Sequence, residues 1–174
     1  MDEVEIYIGP DRHIEVHRYA PLSIALTVVA ALALQAFLPV HLAWTRMMEL
    51  PLLVTIYFAL SRRSASVGLL LGMTVGLLQD SLSGTPIGLY GIAKTLVGFT
   101  ASSIGARIDV EHSISRFVLT VAFFHFHHAV FALTRRLLLG QHEPYITVPL
   151  LIASLVNGVI AVGLFPLLDR LRKS

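Results

Sequence analysis

Apolar residues fill six stretches of this 174-residue chain and leave only short polar joints between them. A helix of about 20 apolar residues spans the roughly 30 Å hydrocarbon core of a bilayer. Inside that core only helices and closed barrels satisfy their own backbone. The pattern therefore predicts an all-α integral membrane protein, a compact bundle of six transmembrane helices over residues 20–169. The spans fall at about 19–39, 47–61, 64–79, 86–106, 117–134 and 146–168. Charged residues make up 14% of the chain, well below the roughly 25% of soluble domains. Little sequence is left for a separate soluble domain.

The second span is the weakest. Its unbroken apolar part, Leu50 to Leu60, covers only about 16 Å as a helix. It either starts nearer Trp44, a residue suited to the membrane interface, or does not cross by itself. Residues 1–19 form a polar segment in which Val4, Ile6 and Ile8 alternate with polar residues before Gly9-Pro10-Asp11. That is a weak hairpin signal, and a flexible tail is the alternative. The acidic start, with Asp2, Glu3 and Glu5, is unlike a signal peptide, so the first apolar run reads as a retained helix. Residues 170–174 form a basic tail.

Basic residues set orientation in a membrane protein. With six spans, one side holds Arg12, Arg18, Arg62, Arg63, Arg107, Arg116, Arg170, Arg172 and Lys173, and the other holds Arg46, Arg135 and Arg136. Both termini are therefore expected in the cytoplasm, with Arg62 and Arg63 as cytoplasmic basic contacts. The net charge of +2 is no sign of nucleic-acid binding. No cysteine is present, which removes disulfides, thiolate metal sites and thiol nucleophiles.

The centre of the chain carries a glycine ladder, Gly68, Gly72 and Gly76, which ends at Gln79-Asp80 and resumes as Gly84, Gly88 and Gly91. Small residues continue through Thr95, Gly98, Ser102 and Gly105 at alternating spacings of four and three. Glycine at every turn of an apolar helix leaves a groove that admits another backbone. Two readings stand: a groove for a partner's helix, or packing of the third and fourth spans on each other. Gln79 and Asp80, with Lys94 about two turns into the fourth span, form a candidate polar intramembrane or loop site. A carboxylate or ammonium at such depth is costly and is usually paired. Asp80 is the nearest partner for Lys94 in sequence, and the plainer reading makes Asp80 a loop residue that caps the next helix.

Gln35 and Asn157 lie mid-span, where amides bond across helices. His125, His127 and His128 lie in the fifth span, where 125 and 128 share a face, but no glutamate follows in zincin spacing. Neutral histidines bonding to neighbouring helices are the simpler reading, with no metal and no cofactor. No nucleophile triad or phosphate-binding loop is present, so the chain is not expected to be an enzyme.

The stretch Pro51-Leu-Leu-Val-Thr-Ile-Tyr57, then Gly68-Leu-Leu-Leu-Gly72-Met-Thr-Val-Gly76-Leu-Leu-Gln-Asp80-Ser-Leu-Ser-Gly84, then Pro86-Ile-Gly88-Leu89, resembles the rod shape-determining protein MreD family. The resemblance implies a non-enzymatic protein of the bacterial inner membrane that binds MreC. Through MreC it would connect with MreB and with the elongation transpeptidase and glycosyltransferase, maintaining rod shape. It also implies a fold similar to the substrate-binding subunits of energy-coupling-factor transporters. A polar N-terminal segment this long departs from the family pattern. The competing reading is a small solute-binding transporter subunit of the same architecture, with Asp80, Lys94 and Asn157 lining its pocket.

Overall fold

The structure is a computed structural model that describes residues 19–107, 112–141 and 146–172. The expected hairpin before residue 19 and the last two residues of the basic tail lie outside the described residues. Six α-helices follow one another: α1 (Pro21–His41), α2 (Leu50–Arg62), α3 (Ala65–Ser83), α4 (Leu89–Gly105), α5 (Ser113–Leu139) and α6 (Val148–Asp169). A short 3-10 helix, Ala43–Met47, stands between α1 and α2. Four of the helices, α1, α3, α5 and α6, are long and apolar enough to cross a membrane.

The short helix α2 is the centre of the bundle. Every residue from Pro51 to Ser61 is buried, and α1, α3, α4, α5 and α6 all touch it. A helix that is apolar all round has no face to give to water and sits inside. Its 13 residues measure only about 20 Å, so one of its ends lies within the bundle. Two mid-span amides make that end tolerable. Gln35 of α1 donates to Met48 O at 2.9 Å and accepts from Leu50 N at 3.0 Å. Asn157 of α6 accepts from Glu49 N at 2.9 Å and donates to Met47 O at 2.7 Å. Irregular backbone at membrane depth survives only where protein groups satisfy it, and these two side chains supply the bonds that lipid cannot.

The glycine ladder is spent inside the molecule. A Cβ at Gly72 would stand 2.6 Å from the carbonyl carbon of Lys94, and one at Gly76 would stand 2.6 Å from Gly91 Cα. Gly68 and Gly98 face each other's backbones in the same way. The closest helix contact in the fold is therefore α3 against α4, and the groove anticipated for a partner's helix is filled by α4. Gly105 extends the seam to a third helix, since a Cβ there would lie 2.8 Å from Leu60 Cα in α2.

Two other glycines of the series do different work. Gly84 and Gly88 have φ of +65° and +107° with open space around them. They serve turn geometry that other residues adopt only with strain, not packing. The expected start of the fourth span at residue 86 is likewise corrected. Pro86 lies in the turn and α4 begins at Leu89, because the left-handed Gly88 interrupts helical geometry just before it.

Both ends of the described chain meet at one end of the bundle. Tyr19 and Arg172 form an isolated antiparallel bridge. Tyr19 Oη lies 2.9 Å from Tyr57 Oη, and Tyr57 donates to Asp169 Oδ1 at 2.8 Å. Arg116 Nη2 and Arg172 Nη2 each lie 2.7 Å from an Asp169 oxygen. Burial works to lower the Arg172 pKa, but the Tyr19 hydrogen bond and the Asp169 charge outweigh it and raise it. One carboxylate thus joins α2, α5, α6 and the segment before α1.

Candidate functional site

The opposite half of the bundle holds two buried polar constellations. The first is built on Asp80. It stands in the last turns of α3, not in an aqueous loop, because α3 continues to Ser83. Ser81 and Ser83 bond back to Leu77 O and Gln79 O, at 3.0 and 2.7 Å. Asp80 is fully buried. It accepts from Gly88 N at 2.8 Å, Tyr90 N at 3.0 Å, Gly91 N at 3.0 Å and Thr85 Oγ1 at 3.0 Å. The first N–H groups of a helix have no partner within it and carry the positive end of its dipole. The N-cap residue of α4, Gly88, has no side chain to offer. A carboxylate from the neighbouring helix takes its place, and the capping expected from sequence is realised across helices. Gln79 is buried beside it, with Oε1 unpartnered among the described residues.

The second constellation centres on Lys94, also fully buried. Its ion pair is with Glu49, at 3.8 Å from Oε2, and not with the Asp80 that sequence proximity nominated. Asp80 is already filled by four donors. Lys94 Nζ also lies 3.3 Å from His127 Nε2 and 4.6 Å from the centroid of the Tyr90 ring. Tyr90 stacks on His127 with 5.9 Å between ring centroids and 9° between planes. An ammonium only donates, so a charged Lys94 takes His127 Nε2 as its acceptor. His128 follows on the same turn against Phe124, at 4.4 Å between ring centroids.

Of the three histidines singled out in the sequence, His127 and His128 enter this cluster. Among the described residues no three histidine or carboxylate groups lie close enough to hold a metal ion. Glu49 and Tyr90 were not picked out from the sequence. The available signal was a lone acid at the mouth of a span too short to cross. Arg62 closes α2, and Arg63 makes the turn into α3 with φ of +53°. Both belong to the end where the chain termini meet, far from either constellation.

Nothing in this arrangement presents a nucleophile with its base. The long apolar helices and the amide-capped break define a multi-pass helical membrane protein. The family model of the rod shape-determining protein MreD matches residues 17–174. The chain belongs to that family, whose role is the determination of rod shape. No curated protein and no solved structure matches the chain.

Proposed function

We propose that this protein is a non-enzymatic scaffold of the bacterial inner membrane. It binds MreC and helps couple MreB filaments to sidewall peptidoglycan synthesis by the elongation transpeptidase and glycosyltransferase. The observation that carries the reading is the family match across residues 17–174. An architecture similar to the energy-coupling-factor substrate-binding subunits is part of the proposal. Arg62, Arg63, Arg107, Arg116, Arg170 and Arg172 share the end where the termini meet, and the charge rule assigns that end to the cytoplasm.

Because α4 stands against the glycine ladder, the proposal puts the MreC contact on an outer face of the bundle. The competing reading, a solute-binding transporter subunit, loses two of its three pocket groups. Asp80 is saturated by backbone donors, and Asn157 is committed to Glu49 N, Met47 O and Ala153 O.

Purification from native membranes in mild detergent, with mass spectrometry of what accompanies the chain, tests the proposal. Stoichiometric recovery of a single-span, coiled-coil protein is expected. Recovery of an ATPase module with no such protein would overturn it.

A further inference from the structure

The end of the bundle where the termini meet holds a cleft that the bonds around Asp169 do not fill. Tyr57, Leu60 and Ser61 of α2, Arg116 of α5, Phe165 of α6 and Arg172 line it. The cleft is partly open, with about 210 Å³ of empty space, and its inner recess of about 10 Å³ admits one water-sized atom. Its walls divide by chemistry. Tyr57, Ser61 and the two guanidiniums present hydroxyl and N–H donors, while Leu60 and Phe165 are apolar. Ser61 is buried and lines the recess without entering the bonds to Asp169.

We infer that this cleft seats the phosphate of one anionic phospholipid, with a phosphate oxygen in the recess accepting from Ser61 Oγ and the Arg116 and Arg172 guanidiniums. Charge favours an anion. Among the described residues Arg62, Arg63, Arg107, Arg116, Arg170 and Arg172 stand at this end against the single acid Asp169. Asp169 bridges Arg116 and Arg172, and both arginines have further contacts. A guanidinium carries five donors in a fixed fork suited to phosphate, so an added oxygen joins these bonds instead of displacing them. Position favours a lipid as the source of the phosphate. The cleft lies where α2, α5 and α6 end, at headgroup depth for a bundle of this length. Exposed Ile114 and Val118 of α5 and Leu167 of α6 give acyl chains an apolar surface on the same helices. A polar recess beside such a surface fits an amphiphile better than a free anion, and basic groups at the interface draw anionic headgroups.

The test is native mass spectrometry of the full chain released from nanodiscs of phosphatidylglycerol and phosphatidylcholine, mixed equally and matched in acyl chains. One phosphatidylglycerol per chain is expected to stay bound in preference to phosphatidylcholine. Ser61→Val removes a donor and fills the recess while leaving the Asp169 bonds in place, and is expected to lower that retention about tenfold. Arg136→Gln, at the opposite end, is expected to leave it unchanged. Equal retention of the two lipids, or a preference that survives Ser61→Val, overturns the inference. Displacement of the bound lipid by inorganic phosphate at an equal concentration also overturns it, by making a free anion the occupant. Where Ser61→Val folds poorly, phosphorus–nitrogen distance spectroscopy of the wild-type chain, labelled with nitrogen-15 arginine, decides the question. A guanidinium in contact with both an aspartate carboxylate and a lipid phosphorus is expected, and finding none overturns the site. Failure here leaves the scaffold reading intact, because co-purification with MreC is a separate measurement.

Discussion

Asp80 and Glu49 are both acids at a helix junction in the same half of the bundle, Asp80 fully buried and Glu49 half-buried, and they meet opposite fates. Asp80 is enclosed by four donors, three of them backbone N–H groups of the helix it caps. Glu49 faces one ammonium at 3.8 Å and retains an oxygen with no hydrogen bond. The first arrangement is closed and welds α3 to α4. The second is enclosed but incompletely bonded, and it holds charges that cap no helix. A buried charge with every bond made stabilises its junction, while one left short of a bond costs free energy where it stands.

Substitutions break or sharpen this contrast. The largest effect is expected at the seam beneath Asp80. Gly72→Leu drives a side chain into the Lys94 backbone and should cost about 4 kcal/mol or more, seen as loss of folded protein on size-exclusion chromatography in detergent. Asp80→Ala removes the cap and its charge-assisted bonds, about 3 kcal/mol in all. Asp80→Asn should retain part of that, and thermal melts of the two variants measure the difference. Asn157→Leu strips Glu49 N and Met47 O of their partner and should cost about 2 kcal/mol, with faster hydrogen exchange confined to Met47–Leu50. Gly84→Ala, at φ +65° with open space around it, should cost only about 1 kcal/mol.

The smallest effect on stability is expected where the charge looks most conspicuous. Lys94→Met combined with Glu49→Gln replaces the whole pair and should be nearly neutral, while Lys94→Met alone is worse because it leaves Glu49 uncompensated. A double-mutant cycle in melting temperature measures this. A double variant as damaged as Asp80→Ala would place the Lys94 cluster among the structural parts and erase the contrast.

The sequence made much of the fold legible, for physical reasons that differ by element. Apolar length announced all six helices, and the four-residue glycine spacing announced a close seam. Spacing does not say which backbone fills a groove, so the choice between α4 and a partner stayed open until the Gly72–Lys94 and Gly76–Gly91 approaches were seen. Asp80 was legible as a cap but not as a buried one, because the serines that prolong α3 read as loop residues. The Lys94 partner was missed because nearness in sequence favoured Asp80, whereas the fold brings Glu49 across from the start of α2. Gln35 and Asn157 were legible as cross-helix amides. Their targets, the backbone of a helix that begins inside the bundle, were not.

The bridge between Tyr19 and Arg172 has a mechanical consequence. Tension applied to either terminal segment is borne by the same few bonds around Asp169, which also hold α2 and α5. A pull on one terminus is therefore shared with the other before any helix slides. A tether attached at either end would load the bundle as a single body.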